Sequence, residues 1–127
     1  MQKCVLAYNF TPERLGALRL VCMMLRVQLK AVPREALSQP VGYLAGVPGA
    51  EQADEAYAGD EAQEEMLVMC GFTRSDLDRL LAGIRKGRLG SVKLKAMLTQ
   101  HNALWSGLAL QKELAQEHEY MHNKAAR

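Results

Sequence analysis

The chain has 127 residues, of which 49% are hydrophobic, and its formal net charge is +2. This length suits one domain with a buried core, and the hydrophobic content excludes a disordered chain. No apolar run approaches the roughly 20 residues of a membrane span, and we expect no secretory signal at the N-terminus. Three cysteines in apolar segments, without a CxxC pair, predict buried, reduced thiols in a cytoplasmic protein: Cys4, Cys22 and Cys70.

The charge is unevenly distributed. Residues 47–65 contain seven acidic residues and no Lys or Arg, so the rest of the chain has 16 basic and seven acidic residues, a balance of +9. A basic body could bind an anionic partner, or the acidic segment could fold back over the basic surface, which is the interpretation we favour. The composition predicts a mobile linker with at most a frayed helix.

Two apolar strands, 3–8 and 66–70, each lead into a helix that opens at a threonine. Thr11 and Thr73 are suitable N-caps, because a hydroxyl can accept a hydrogen bond from a free backbone N–H. The two segments match at one constant offset, which relates Phe10 to Phe72, Thr11 to Thr73 and Leu15 to Leu77. Further on, 27–32 matches 92–97, and both stretches alternate and carry lysines, which is typical of edge strands.

We therefore interpret residues 1–127 as a single α+β domain in which one β-α-β-α unit is written twice, with half-repeats at about 1–46 and 66–122. A ferredoxin-like four-stranded sheet in the order 4-1-3-2 places both apolar strands in the centre. The alternative is a parallel doubly wound α/β sheet in the order 2-1-3-4. Two extra helices, at 34–46 and about 102–120, cover the other face, the first being broken around Gln39-Pro40.

Several stretches together resemble a known group of proteins. They are Tyr8-Asn-Phe-Thr-Pro-Glu-Arg-Leu15, Lys30-Ala-Val-Pro-Arg34, Gln39-Pro-Val-Gly-Tyr-Leu44, Lys95-Ala-Met-Leu-Thr99 and Asn102-Ala-Leu-Trp105. With them the chain, apart from the acidic linker, resembles short proteins of clostridia-type anaerobic bacteria that are registered as a domain of unknown function. The resemblance implies a stand-alone, cytoplasmic bacterial domain, and it implies no activity.

The sequence His118-Glu-Tyr-Met-His122 is an HExxH motif. On a helix, His118 and His122 would share a face and could bind Zn²⁺, with Glu119 as the base of a zinc-dependent hydrolase. The solvent-type sequence around the motif favours a chance match on an exposed helix end, and a third ligand would have to come from elsewhere, such as His101. We therefore expect no cofactor, with zinc only under this alternative.

A second constellation joins two segments that precede helices. Its candidate ligand-binding residues combine an aromatic wall with amide and hydroxyl groups near a helix N-terminus: Gln39, Tyr43, Thr99, His101, Asn102 and Trp105. The interpretation that we favour is structural, in which Trp105, the only tryptophan, seals the last helix against the sheet.

A basic set could contact phosphates, and it consists of Arg85, Lys86, Arg88, Lys93 and Lys95. Single-strand binders also need exposed aromatic side chains for stacking, and the strands offer only Tyr8. We therefore interpret the set as a solvated face, and weak nucleic-acid binding stays an alternative.

The first helix has more apolar residues than a single buried face can hold. It has two apolar stripes, and Met23 and Met24 give it an adaptable surface. We predict a homodimer formed through this helix. The sequence as a whole favours a protein-interaction or small-ligand-binding module without catalysis.

Overall fold

The computed structural model describes residues 2–125, with the side chains of residues 2–121. The first half contains β1 (Cys4–Tyr8), α1 (Pro12–Met24), β2 (Gln28–Val32), a 3-10 helix (Arg34–Ser38) and α2 (Val41–Ala45). The second half contains β3 (Met66–Cys70), α3 (Arg74–Lys86), β4 (Leu94–Met97), a 3-10 helix (Asn102–Leu104) and α4 (Gly107–Ala125). No helix in the described residues is long and apolar enough to cross a membrane.

Both threonine caps are confirmed. The Thr11 hydroxyl accepts a hydrogen bond from the backbone N–H of Arg14 at 3.3 Å, and Pro12 occupies the first helical position. Thr73 forms a full capping box, since its hydroxyl accepts from Asp76 N–H while the Asp76 carboxylate accepts from Thr73 N–H. These bonds satisfy backbone donors that a helix start leaves free.

The four strands form one mixed sheet in the order β2-β1-β3-β4. β1 is parallel to β2, β3 is parallel to β4, and the central pair β1–β3 is antiparallel. The predicted ferredoxin-like order 4-1-3-2 is therefore wrong. The alternative has the correct order, but its all-parallel direction is wrong.

The direction of β3 follows from where the acidic segment runs. β2 ends beside the end of β1, because Val32 pairs with Tyr8, and β3 begins beside the same residue, because Tyr8 also pairs with Met66. The chain between them starts and finishes at one edge of the sheet. β3 therefore runs back along β1 in the opposite direction.

The pairing of β1 with β3 is symmetric in sequence. β3 and α3 follow β1 and α1 at the same constant offset that relates Thr11 to Thr73, and the register pairs Cys4 with Cys70, Leu6 with Val68 and Tyr8 with Met66. Leu6 and Val68 are thus equivalent positions that face each other. The backbone turns after the strands also correspond, with φ of 65° at Asn9 and 74° at Gly71.

The sequence match between the edge strands is wrong by one position. Cys4 pairs with Gln28 and Met66 pairs with Leu94, so Gln28 and Leu94 are equivalent, whereas matching 27–32 with 92–97 makes Gln28 equivalent to Lys93. As a result, Leu29 and Leu94 pack on opposite faces of the sheet. The difference arises in the connection between α3 and β4, which is longer than that between α1 and β2.

The sheet lies between two helical layers. On one face, α1 and α3 bury Leu18, Cys22, Leu80 and Ile84 against the sheet. On the other face, the first 3-10 helix, α2 and α4 bury Leu37, Val41, Ala45 and Leu110. Full burial of each large aliphatic side chain stabilises the fold by about 1.5–3 kcal/mol, so both layers contribute to the core.

The last predicted helix begins later than expected. The chain breaks at Trp105 after the short 3-10 helix, and α4 starts at Gly107. The break arises because this stretch pairs with the segment before α2: Val41 N–H donates to Trp105 C=O, and Gly107 N–H donates to Gln39 C=O. Gly107 also lies on the ring of Tyr8, where a Cβ atom would come within 2.5 Å of the ring.

The acidic segment 47–65 contains no helix or strand and lies against the body. Three of its seven acidic residues pair with basic side chains of the body, in Glu65–Arg14, Glu64–Lys93 and Glu61–Lys112. This agrees with the interpretation that the segment folds over the basic surface. Its expected mobility stays a prediction.

Candidate functional site

The amide groups of the predicted ligand constellation are engaged within the fold. Gln39 Oε1 accepts from the backbone N–H of Ala53 at 2.7 Å, and its Nε2 donates to the Ala53 carbonyl. Asn102 Oδ1 accepts from Thr99 N–H, Thr99 Oγ1 accepts from Asn102 N–H, and Asn102 Nδ2 donates to the Met97 carbonyl. These polar groups therefore hold the turn before α4 and the acidic segment in place.

The aromatic members of the constellation lie nearby. The ring centroids of His101 and Trp105 are 5.2 Å apart in an edge-to-face contact, and the half-buried Trp105 packs against the core beneath α2 and α4. Tyr43 is partly exposed on α2. The backbone bridge between Pro40 and Ser106 brings the two predicted segments together. Ligand binding by these six residues stays a prediction.

The HExxH motif lies on α4, with His118 and Glu119 exposed and the side chain of His122 outside the described residues. His118 and Glu119 line a cavity of about 470 Å³ together with Glu64 and Lys93. Among the residues that the structure describes, no three His, Cys, Asp or Glu side chains are grouped to hold a metal ion.

The cavity beside His118 contains both a carboxylate and an ammonium group, and zinc binding stays a prediction. The Lys93 ammonium lies 3.5 Å from the Glu64 carboxylate, so a positive charge already occupies that side of the cavity. His101 follows the end of β4, whereas Lys93 precedes its start. The strand therefore separates the histidine that the sequence suggested from the motif.

The basic set is divided between two places. Lys86 and Arg88 border a groove between α1 and α3. Lys93 pairs with Glu64, and Lys95 donates a hydrogen bond to the carbonyl of Val92. Lys93 and Lys95 are thus bonded to groups of the chain itself, and weak nucleic-acid binding by the set stays an alternative.

A cavity of about 330 Å³ lies where β1 and β2 end, and Asn9, Thr11, Arg34 and Gln63 line its polar side. The guanidinium of Arg34 donates to Asn9 Oδ1 at 2.9 Å and to the carbonyls of Ala62 and Glu61 at 2.9 and 2.8 Å. It also lies 5.5 Å from the centroid of the Tyr57 ring. Arg34 was missed at the level of sequence, although a basic residue directly after Pro33 is the signal that could have indicated it.

A strongly apolar groove lies between α1 and α3. Its volume is about 350 Å³, and Lys86 and Arg88 stand at its border. The other lining residues are small or apolar: Ala17, Leu20, Val21, Met24 and Leu25 on α1, and Gly83 and Gly87 on or beside α3. A second cavity continues it along α1 toward Pro12 and Gly16, and the two share Ala17, Leu20 and Arg88. We call these two cavities the α1 groove.

The α1 groove is not covered by side chains from α3, because Gly83 and Gly87 line it on that side. At Gly83 the two helices approach so closely that a Cβ atom would come within 2.8 Å of Val21 Cγ1. No side chain from that position can cover α1, and Leu20, Met23 and Met24 are 62%, 66% and 84% exposed. The sequence predicts that α1 has more apolar residues than one buried face can hold. The structure agrees, since the remaining apolar side chains form this exposed surface.

Residues 65–121 match the family model described as Domain of unknown function (DUF3783). The matched stretch includes β3, α3, β4 and most of α4, so the resemblance to a registered domain of unknown function is confirmed for the second half. No curated protein and no solved structure matches the chain.

Proposed function

We propose that this protein is a non-catalytic interaction domain that binds a second copy of itself through the α1 groove. The observation that carries the proposal is the exposure of Leu20, Met23 and Met24 beside an apolar groove. A contiguous apolar surface of this kind is typical of an interaction site, and methionine side chains adapt readily to a partner.

The exposed face of α1 is complementary to itself. In an antiparallel pair of α1 helices centred on Leu20, Gly16 lies opposite the second copy's Met24, and Ala17 lies opposite its Met23. Within the described part of the chain, no atom comes within 4 Å of a Cβ built at Gly16, so that position is an open notch. Pairing small residues with large ones allows two helices to pack closely. The arrangement is a two-fold contact, which closes as a dimer.

The charges along α1 favour the same arrangement. Glu13 lies in the first turn of α1 and Arg26 lies just beyond its end, and both are exposed. In this register Glu13 lies opposite the second copy's Val27, next to its Arg26. Arg14, which lies opposite Arg26, is already paired with Glu65 within its own chain. A polar rim of this kind selects the orientation of the partner more than it adds affinity.

Two features beyond the interface belong to the same proposal. Cys4, Cys22 and Cys70 are free and buried, which supports a reducing location such as the cytoplasm. The constant offset between β1 and β3 and between α1 and α3 supports an origin of the two halves by duplication.

Sedimentation velocity tests the proposal with one variant and a matched control. We expect wild-type protein to be dimeric at tens of micromolar, and Leu20→Lys/Met24→Lys to be monomeric, because two buried ammonium groups would oppose association. Leu104→Lys removes an apolar side chain that is 72% exposed on the opposite layer, and it should leave the dimer intact. A wild-type monomer at these concentrations, or a dimer in the double variant, would contradict the proposal.

A further inference from the structure

Two ion pairs connect the halves at equivalent positions. Lys3 Nζ lies 2.9 Å from Asp76 Oδ2, and Arg14 Nε lies 2.5 Å from Glu65 Oε2. Lys3 and Glu65 each directly precede a central strand, and Arg14 and Asp76 are equivalent positions in the first turns of α1 and α3. The same contact therefore occurs twice, with its charges exchanged.

Both contacts are part of well-ordered polar networks. Asp76 is 5% exposed and also accepts from Thr73 N–H and from Arg79. The guanidinium of Arg14 contacts both oxygens of Glu65 and donates to the carbonyls of Leu89 and Ser91. Charge pairs held by additional hydrogen bonds keep a fixed geometry, so they discriminate between partners better than isolated surface pairs do.

We call two first halves, or two second halves, like halves, and a first half with a second half unlike halves. Because the charges are exchanged between the halves, the two kinds of pairing differ in their electrostatic contacts. The first half is positive at both positions, with Lys3 and Arg14, and the second half is negative at both, with Glu65 and Asp76. If two first halves paired in the same geometry, Lys3 would face Arg14, and two second halves would bring Glu65 against Asp76. Like charges placed together at a contact disfavour that pairing.

The strand register cannot make this distinction. Since β1 and β3 pair symmetrically about Leu6 and Val68, two β1 strands or two β3 strands could adopt the same register. Both central strands are apolar and fully buried, so neither carries a charge that would reject its own kind. The charged positions beside the strands are where a distinction can be made.

We propose that these exchanged ion pairs restrict the central strand pairing to unlike halves. The surface along β1 and α1 accepts the second half of this chain, or that of a second copy, and rejects another first half. This restriction does not depend on the α1 groove, which lies on the outer side of the same helix layer.

The test reverses the charges of one ion pair and so keeps both ion pairs within the chain. In Arg14→Glu/Glu65→Arg, the pair within the chain is retained with reversed charges, and each half now has one positive and one negative position. Like halves thereby become complementary. The control Arg14→Lys/Glu65→Asp changes the same two positions and keeps their signs. Both are made in the Leu20→Lys/Met24→Lys chain, so that association through α1 does not contribute.

Each chain is refolded from denaturant at high concentration, diluted, and analysed by light scattering after size exclusion. We expect Arg14→Glu/Glu65→Arg to retain a dimer that persists on dilution, with a dimer fraction roughly tenfold above that of the control. A purely structural role for the ion pair predicts the same behaviour for both chains. Equal dimer fractions, or two monomeric chains, would overturn the proposal.

Disulfide mapping identifies which strands pair in such a dimer. Unlike halves place Cys4 opposite Cys70, whereas like halves place Cys4 opposite Tyr8 of the other copy. We expect the persistent dimer to lack the Cys4–Cys70 disulfide, and a Cys4–Cys70 link between chains would refute the proposal. Where the first variant does not refold, Arg14→Asp/Glu65→Lys reverses the same pair with shorter side chains, and the same two outcomes apply.

Discussion

Asp76 belongs both to the cap of α3 and to one of the two ion pairs between the halves. Its pKa is held well below the usual range, chiefly because its carboxylate accepts the backbone N–H of Thr73, and also because it accepts from Lys3. The Thr73 hydroxyl and Arg79 lower the pKa further, while burial opposes the shift. Helix capping and the contact between halves thus depend on the same ionised group.

The depressed pKa predicts a specific dependence of stability on pH. Because the Asp76 pKa is lower in the folded chain than its ordinary value of 3.8, the stability it contributes is complete above about pH 5 and is lost as the pH falls through the acid range. Asp76→Asn should lower the free energy of unfolding at pH 7, and the difference from wild type should shrink toward about pH 2. Urea unfolding at several pH values measures this.

Asp78→Asn is the matched control, because Asp78 is on the same helix and forms only an exposed pair with Arg74. We expect its unfolding curve to follow that of wild type over the whole pH range. A constant difference between Asp76→Asn and wild type, independent of pH, would show that the charge of Asp76 does not link the halves as described.

At the scale of elements, the residues next to a helix start predicted that start correctly, whereas the interruption of a helix by distant contacts was not predicted. The starts of α1 and α3 follow from Thr11, Pro12 and Thr73, since capping depends on residues within one turn. The break at Gln39-Pro40 is likewise confirmed. The interruption of the last helix was missed, because it depends on pairing between Trp105 and a segment that lies in the first half of the chain.

In the candidate site, too, some features were predictable from the sequence and others depended on contacts with distant segments. The sequence grouped Gln39 with Trp105, and the bridge between Pro40 and Ser106 joins their segments. It could not show that the Gln39 amide bonds to Ala53, because residues 47–65 have no periodicity from which a contact could be inferred. The predicted surface on α1 was accessible to sequence reasoning, because an excess of apolar residues on one helix is visible without knowledge of the fold.

The acidic segment gives a prediction about Arg34. This side chain joins Asn9, Tyr57 and the carbonyls of Glu61 and Ala62, so it attaches the segment to the ends of the strands. We expect Arg34→Ala to increase hydrogen exchange across residues 51–64 and to lower the free energy of unfolding by about 1–3 kcal/mol, because hydrogen bonds to a charged group are lost. Exchange monitored by mass spectrometry, with a denaturation curve, tests both.

Lys112→Ala provides the comparison for Arg34→Ala. Lys112 also contacts the acidic segment, but only through a solvent-exposed pair with Glu61, which contributes at most about 1 kcal/mol. Exchange in the segment should then remain close to that of wild type. Equal exchange in the two variants would mean that the segment is not held by Arg34.

At the scale of the whole molecule, composition identified which strands are central but not how they connect. Apolar β1 and β3 in the middle, with lysine-bearing β2 and β4 at the edges, satisfy both layouts that were considered. The choice depends on the path of residues 47–65 between the halves, and a segment without periodicity does not encode its direction. Each half instead forms its own parallel pair, and the halves meet through one antiparallel contact.

The fold therefore depends on the antiparallel register in which the halves meet along β1 and β3. This register places Cys4 directly opposite Cys70, and both thiols are buried on the same face of the sheet. The interaction with the Cys4 thiol, followed by burial, raises the pKa of the Cys70 thiol. Cys22 lies on the other face, and burial raises its pKa to about 11.

Mild oxidation of the folded wild-type chain, followed by peptide mass mapping, is the sharpest test of this register. We predict an intramolecular Cys4–Cys70 disulfide with Cys22 left as a free thiol, because opposite residues of antiparallel strands are about 4.5–5.5 Å apart and within disulfide reach. In a parallel arrangement the two cysteines would lie at opposite ends of the strands, about 13 Å apart. Recovery of Cys4 and Cys70 unlinked, or of either joined to Cys22, would contradict the antiparallel register.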